Sequence, residues 1–320
     1  NHGIQITKYY LKNYIESKLD LNKVIELDST FLDAYFYRAY LKMSTNKFKE
    51  ALVDLSKIIS GNTNSAEVYY LSGYIKNLQN DYVGAEIDLN KSIEIDNRND
   101  KSLLQRGMLY FNLNKYEESI KDLNKSLEIE PGSAYGYLLR GQSNLELENY
   151  PDAIKDFNKS IELDNTNVFA YYLRGKANYF LDNAEEAIED FNKVLKANPS
   201  YTDIYYMRGV LKYDLSLFSE ALTDFNKAVQ FNQKDENAYY MRGMTKYEMK
   251  NYKEAVDILT EGKEFVYDNK PLLAQFYATI GDGQNQLKNH VASDSAYEKS
   301  LEIDPSNVYV LNNYAYYLSL

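Results

Sequence analysis

The sequence predicts an all-α protein, a solenoid of stacked helix-turn-helix repeats. An arginine-glycine pair recurs every 34 residues, from Arg106-Gly107 to Arg242-Gly243. A segment that reads Asp, Leu or Phe, Asn and Lys returns at the same step, and the apolar residues between these marks follow helical spacing. A fixed period of roughly 20 to 50 residues is the signature of repeats that contact only their neighbours. The length of 320 residues therefore reflects the number of repeats rather than the number of independent domains.

One repeat, residues 168–201, shows the elements within a unit. Tyr171 and Gly175 lie on one stripe of a first helix, and Ala187 and Phe191 lie on one stripe of a second. A short polar turn separates the helices, and Asn- or Pro-containing segments end each second helix and offer an N-cap to the next. Glycine costs about 1 kcal/mol relative to alanine inside a helix. We therefore interpret its return in most repeats as close approach of the two helices.

The period divides the chain into units. Residues 1–31 match the second half of a unit and predict a degenerate N-terminal repeat. Seven units follow over residues 32–269. The period then slips by a four-residue insertion at 270–273, and an eighth full unit spans 274–307. Residues 308–320 match the first helix of a truncated further repeat, so we expect this sequence to be a fragment of a longer chain.

Charged residues form a ladder that follows the same period. Arginine precedes the glycine of the first helix, and aspartate precedes the Phe or Leu of the second helix. Pairing them within a unit, at spacing 16, fails where Ser72 meets Asp88 and where Arg242 meets Ile258. Pairing each aspartate with the arginine of the next unit, at spacing 18, fails less often. We therefore predict inter-repeat ion pairs: Asp20–Arg38, Asp88–Arg106, Asp122–Arg140, Asp156–Arg174, Asp190–Arg208 and Asp224–Arg242.

With these marks the chain resembles the tetratricopeptide repeat family over essentially its whole length. The pattern of that family is read in one copy as Leu103, Gly107, Ser119, Leu123, Ser126 and Pro131. The resemblance implies a right-handed superhelix in which the first helices line a concave face. The last residues of the chain resemble bacterial members of the family in particular. The sequence does not distinguish between the bacterial cytoplasm and the periplasm.

The positions that line the concave face in that family carry an aromatic strip here. Tyrosine offers a large contact area and a hydrogen-bonding tip, which suits an extended or helical peptide with bulky side chains. Packing between neighbouring first helices is the alternative for any single tyrosine. The predicted groove comprises Tyr70, Tyr74, Leu104, Met108, Phe111, Tyr135, Leu138, Leu145, Phe169, Tyr172, Tyr179, Tyr206, Val210, Tyr213, Tyr240, Met244 and Tyr247.

Composition and motifs predict a non-enzymatic protein-protein interaction scaffold without a cofactor. The net charge of −11 disfavours nucleic acid, because affinity for phosphates comes from clustered Lys and Arg. The chain has no Cys, its two histidines, His2 and His290, lie at opposite ends, and no phosphate-binding glycine loop is present, so we predict no catalytic or metal site. No apolar stretch approaches the roughly 18 residues that cross a bilayer, so we predict no membrane insertion.

Two alternatives remain open. The chain could be the non-catalytic arm of a larger enzyme or of a secretion or assembly complex. It could also self-associate into a homo-oligomer, since the helix at 308–320 presents Tyr309, Leu311, Tyr314 and Leu318 with no following helix in the sequence.

Overall fold

A computed structural model of the chain describes the backbone of residues 14–318 and the side chains of residues 19–315. Over this range the regular elements are eighteen α-helices and one short 3-10 helix, Lys263–Phe265. The predicted fold class, an all-α solenoid of helical repeats, is confirmed. No helix in the described range has both the length and the apolar character needed to cross a membrane.

The helices alternate between first and second members of a pair. In order they are α1 (Tyr14–Leu27), α2 (Leu32–Ser44), α3 (Phe48–Ser60), α4 (Ala66–Leu78), α5 (Tyr82–Ile95), α6 (Asp100–Asn112), α7 (Tyr116–Ile129), α8 (Ala134–Glu146), α9 (Tyr150–Leu163), α10 (Val168–Phe180), α11 (Ala184–Ala197), α12 (Thr202–Asp214), α13 (Phe218–Phe231), α14 (Glu236–Glu248), α15 (Tyr252–Gly262), α16 (Lys270–Gln286), α17 (His290–Ile303) and α18 (Val308–Leu318).

The turn inside each pair repeats one backbone feature. A residue with φ near +60° ends the first helix, a conformation that costs most L-residues about 1–2 kcal/mol. These residues follow the period of 34 and then jump by 38 to Lys288: Asn46, Asn80, Asn114, Glu148, Asp182, Ser216, Lys250 and Lys288.

The start of most first helices is capped by a side chain. At the start of α4, Oγ of Ser65 accepts a hydrogen bond from the backbone N–H of Val68, which satisfies one of the free donors at the helix start. The expectation that the connecting segments supply N-caps is confirmed at Ser65, Asn99, Ser133, Asn167, Asp235 and Asn269, but not after Asn198-Pro199, where Tyr201 makes no side-chain cap.

The recurrent glycine lies where the two helices of a pair touch. A Cβ on Gly141 would come within 2.6 Å of the ring of Phe157, and one on Gly175 within 2.7 Å of the ring of Phe191. Real Cβ atoms do not approach this closely, so the glycine permits the contact. The predicted close approach is confirmed.

An arginine of the first helix holds an aspartate of the second helix of the same pair. Arg106 donates from Nε and Nη2 to the two carboxylate oxygens of Asp122, at 2.6 and 2.7 Å. Its remaining nitrogen, Nη1, donates to Oδ1 of Asn90 in the preceding pair at 2.6 Å. The ion pair thus lies inside a repeat, and the bond from arginine to asparagine joins it to the repeat before. The same three bonds occur around Arg38, Arg140 and Arg208.

The predicted spacing of 18 is therefore wrong. The observed pairs are Arg38–Asp54, Arg106–Asp122, Arg140–Asp156, Arg174–Asp190 and Arg208–Asp224, in place of Asp20–Arg38, Asp88–Arg106, Asp122–Arg140, Asp156–Arg174, Asp190–Arg208 and Asp224–Arg242. The reason is the glycine contact. A Cβ on Gly141 would also lie 3.2 Å from Cβ of Asp156, so the residues that precede the glycine and the ring come to the same level.

Two repeats lack one member of the pair, so the spacing of 16 is incomplete in the sequence. Asp88, in the repeat that carries Ser72, accepts instead from Nζ of Lys76 at 2.6 Å. Arg242, in the repeat that carries Ile258, reaches Glu261 at 3.9 Å, and its buried Nε has no hydrogen-bond partner among the described residues.

The four residues of the predicted insertion, 270–273, form the first turn of α16. This helix has 17 residues, whereas the first helices before it have 13. Pro271 stands in its first turn, where the missing N–H costs nothing because it would have no partner in the helix. The extra turn therefore lengthens the helix at its N-terminus.

The chain divides into two compact units, Asn1–Thr166 and Asn167–Leu320. In the first unit, buried side chains such as Leu55 and Ile75 form the core between the helical pairs. In the second unit one larger cluster, which includes Phe191 and Phe276, extends through successive pairs.

Candidate peptide-binding surface

In the first compact unit, neighbouring first helices bring several predicted groove residues together. Within α4 the rings of Tyr70 and Tyr74 stack with centroids 6.3 Å apart. The hydroxyl of Tyr135 on α8 donates to Sδ of Met108 on α6, the first helix of the preceding repeat, at 3.2 Å. Tyr135 is 46% exposed, so its ring remains available to a ligand. We call the partly exposed groove residues of either unit the first-helix strip.

In the second unit the strip rests directly on the core. The ring centroid of Tyr206 lies 6.1 Å from that of Phe225, and that of Tyr240 lies 5.2 Å from that of Phe276. Phe169 is 38% exposed, and its ring stacks on that of the half-buried Tyr172 with centroids 5.9 Å apart. Each of these tyrosines therefore has part of its ring in the core and part accessible, which combines the two interpretations made from the sequence. The other half-buried members of the strip are Leu104, Phe111, Tyr172, Tyr179, Val210, Tyr213, Met244 and Tyr247.

Two predicted groove residues do not belong to the surface. Leu138 is 5% exposed and Leu145 is 9% exposed, so both offer almost no apolar area to a ligand that lies on the surface. The equivalent positions one repeat later are Tyr172 and Tyr179, which are half-buried. Side-chain size alone does not account for this difference, because Leu104, one repeat before Leu138, is half-buried.

Carboxylates accompany the phenol hydroxyls, and the sequence analysis did not identify them. Tyr40 donates to Oε1 of Glu67 at 2.6 Å, and Tyr172 donates to Oδ2 of Asp203 at 2.7 Å. Both acids stand in the first turn of the next first helix, where a negative charge also favours the helix. That position is the signal that could have located them. A cation is also present beside the strip in the second unit, where Nζ of Lys176 lies 5.6 Å from the centroid of the Tyr172 ring.

Burial raises the pKa of several strip hydroxyls. It raises the pKa of Tyr70 and of Tyr206 to about 12, with smaller contributions from nearby carboxylates. It also raises the pKa of Tyr213 to about 12, where Glu248 adds to the effect. At neutral pH these phenols are therefore hydrogen-bond donors rather than phenolates.

The described histidine, His290, is not a member of this surface. His290 is exposed at the start of α17, and His2 lies outside the described residues. Within the part of the chain that the structure describes, no three His, Asp or Glu side chains converge on a site for a metal ion.

Comparison with protein families identifies the repeat. Two family models described as tetratricopeptide repeat match the chain, and together they cover just over half of it. A search of curated proteins found no match. The matched segments are residues 101–133, 134–167, 170–201, 236–264 and 274–307.

Solved structures share the fold. The C-terminal part of a tetratricopeptide repeat protein from Cytophaga hutchinsonii is 18% identical, with a TM-score of 0.62 over 76% of this chain and 98% of that one. A tetratricopeptide repeat protein from Parabacteroides merdae is 21% identical, with a TM-score of 0.51 over 77% and 98%. YrrB, described as having an unusual peptide-binding site, is 23% identical, with a TM-score of 0.54 over 60% and 97%. Identities this low establish similarity of fold alone.

Proposed function

Because the chain belongs to the tetratricopeptide repeat family, whose repeats form protein-interaction scaffolds, we propose that it is a non-catalytic scaffold that binds a peptide or protein segment along the first-helix strip. The observation that carries the proposal is the strip itself. Its tyrosine rings are anchored in the core on one side and accessible on the other, as for Tyr206 and Tyr240. Their protonated hydroxyls offer hydrogen bonds to a peptide backbone.

Preorganised rings make efficient binding anchors. A ring that already packs on the core loses little conformational entropy when a ligand covers its accessible part. The apolar area that is buried then contributes about 25 cal/mol per Å², and buried tyrosines at the centre of an interface often account for 2 kcal/mol or more each. We expect most of the affinity to come from a few of these rings rather than from the whole strip.

The test uses peptides selected from a random library displayed on phage, with the intact chain as bait. Their affinity is then measured for the variant Tyr172→Leu plus Tyr206→Leu. Leucine is a conservative choice, since the chain itself has leucine at the equivalent positions 104 and 138. We expect a loss of at least about 2 kcal/mol, roughly thirtyfold in Kd.

The matched control is Tyr267→Ala, which removes a phenol that is 78% exposed in the segment after the 3-10 helix, away from the strip. This variant should bind the selected peptides like the unchanged protein. Equal affinity of the double leucine variant and the control would place the binding surface elsewhere.

Self-association is a second candidate, because the described part of α18 exposes apolar side chains on one face. Val308 is 66% exposed and Leu311 is 44% exposed. Tyr314 is turned toward Tyr297, with ring centroids 5.5 Å apart, and the side chain of Leu318 lies outside the described residues. Light scattering of the chain and of Val308→Lys plus Leu311→Lys tests this candidate. A monomer in both samples rejects it.

A further inference from the structure

A cavity of about 520 Å³ lies in the second compact unit, at the C-terminal end of the first-helix strip. Its volume is in the range of small-ligand sites, which are typically about 300–1,000 Å³. Among the lining residues that the structure describes, none is Lys, Arg or His. The wall includes Tyr240, Met244, Tyr247 and Tyr309 and two carboxylates, Glu248 and Asp282.

Asp282 is a buried carboxylate that no cation neutralises. It is 4% exposed, and no Lys, Arg or His of the described chain lies within ion-pair distance of it. Its Oδ1 accepts from the hydroxyl of Tyr297 at 2.6 Å and from Nδ2 of Asn313 at 3.3 Å. Its Oδ2 accepts from the hydroxyl of Tyr309 at 2.6 Å. All of these donors are neutral.

The other buried aspartates of the described chain are all paired. Each has an Arg or Lys nitrogen at 2.7 Å or less, because a charge removed from water costs free energy unless an opposite charge compensates it. At Asp282 the hydrogen bonds do not compensate fully, since burial raises its pKa by more than the two hydroxyls and the amide lower it. The six paired carboxylates are Asp54, Asp88, Asp122, Asp156, Asp190 and Asp224.

The position of Asp282 in its repeat places it beside the strip. It directly follows Gly281, and in four other repeats the residue directly after the glycine is a strip member, namely Tyr74, Met108, Val210 and Met244. The hydroxyl of Thr279 on the same helix contacts Sδ of Met244 at 3.6 Å, so the two first helices meet at the cavity. A ligand that lies along the strip of this unit would therefore reach the carboxylate.

We propose that the cavity binds a basic side chain, lysine or arginine, of the partner segment. The cation would pair with the carboxylates of Asp282 and Glu248, and the alkyl chain would lie among the tyrosine rings, whose faces also attract cations. The cavity has room for such a side chain and part of its backbone. This proposal rests on the proposed function of the strip and specifies the chemistry that one end of it selects.

The test exploits the small number of methionines. The chain has 6, so a sample labelled with ¹³C at the methionine methyl groups gives few NMR signals, and Met244→Leu identifies the signal from the cavity wall. The probes are Nα-acetyl-lysine amide, Nα-acetyl-arginine amide and Nα-acetyl-norleucine amide, the last being lysine without its amino group. We expect the two cationic probes to shift the Met244 signal in a saturable manner and the norleucine probe to leave it unchanged.

Asp282→Asn keeps the shape of the side chain and removes its charge, so it should weaken the cationic probes at least tenfold. Glu248→Gln provides a second variant on an exposed side chain, which should weaken them less. Asp257→Asn, which removes an exposed carboxylate outside the cavity lining, is the matched control and should bind like the unchanged protein. An equal response to norleucine, a response to magnesium chloride alone, or no response at all would overturn the proposal.

The two proposals fail in different ways. Loss of the Met244 response with peptide binding intact overturns the cavity alone. Unchanged peptide affinity in the variant Tyr172→Leu plus Tyr206→Leu overturns the strip, even where the cationic probes still shift the Met244 signal.

Discussion

Arg106 and Asp122 face each other across a single helical pair, joined by two parallel hydrogen bonds of 2.6 and 2.7 Å. Asp122 is 3% exposed, and the Arg106 side chain is 18% exposed. Water is therefore largely excluded from the carboxylate, and loss of the arginine would leave a buried charge without a partner. The same geometry recurs through the chain, which makes the pair a general element of the repeat.

The first prediction concerns which residues are coupled. Arg106→Ala and Asp122→Ala should each destabilise the protein by about 3–5 kcal/mol, because each leaves the other charge unpaired. In a double-mutant cycle measured by urea unfolding, the pair should show a coupling energy of about 1–3 kcal/mol. The cycle of Asp122→Ala with Arg140→Ala should be additive to within about 0.5 kcal/mol. Stronger coupling in the second cycle would restore the inter-repeat pairing.

The second prediction uses the arginine whose repeat lacks the aspartate. Arg242→Leu should be neutral or stabilising, because its Nε is buried without a hydrogen-bond partner among the described residues and Ile258 stands where other repeats have aspartate. Arg174→Leu should cost about 3–5 kcal/mol, because it strands the carboxylate of Asp190, which is 1% exposed. Thermal or urea unfolding of both variants gives the comparison. Equal losses would contradict the prediction.

The third prediction concerns the glycine contact. Gly141→Ala gains about 1 kcal/mol of helix propensity, but its Cβ meets the ring of Phe157 at 2.6 Å, and overpacking of this kind costs about 1–3 kcal/mol. We expect a net loss of about 1 kcal/mol by urea unfolding. Gly132→Ala, at an exposed turn where the nearest atom is the flexible tip of Glu130, is the control and should be nearly neutral. A stabilised Gly141→Ala would show that the helices separate easily.

The fourth prediction is a pH dependence at Asp282. Burial raises its folded-state pKa above the ordinary value of 3.8, so the protonated carboxyl favours the folded state. The stability that it contributes is present below pH 3.8 and is lost as pH rises through the folded-state pKa. The groups that face it are Glu248, Tyr240 and Tyr247 on α14, Tyr297 on α17 and Tyr309 on α18.

The comparison is with Asp282→Asn, which does not titrate at this position. The urea midpoint of the variant should rise relative to the unchanged protein as pH increases from below 3.8 toward neutrality. Asp257→Asn, on an exposed carboxylate, serves as the control and should not show this trend. A constant difference across the pH range would mean that the carboxyl titrates alike in the folded and unfolded chain.

The sequence by itself determined the repeat. A period of 34, helical apolar spacing and the capping residues are local or periodic features, and each repeat packs mainly on its neighbours, so they specify an all-α solenoid without knowledge of distant contacts. The glycine found in most first helices, such as Gly175, also predicted a close approach, because its cost in a helix needs a compensating contact.

Only the tertiary structure decided which side chains meet and how deeply they are buried. The sequence is compatible with an arginine–aspartate spacing of either 16 or 18 residues. The contact between Gly141 and Phe157 brings Arg140 level with Asp156, which gives the spacing of 16. The exposure of a predicted groove position also varies between repeats, since Leu104 is half-buried and Leu138 is buried at equivalent positions. The environment of Asp282, a carboxylate without a neighbouring cation, depends on three helices that meet around one cavity. The repeat period does not predict this site, because it forms only when residues far apart in the chain pack together.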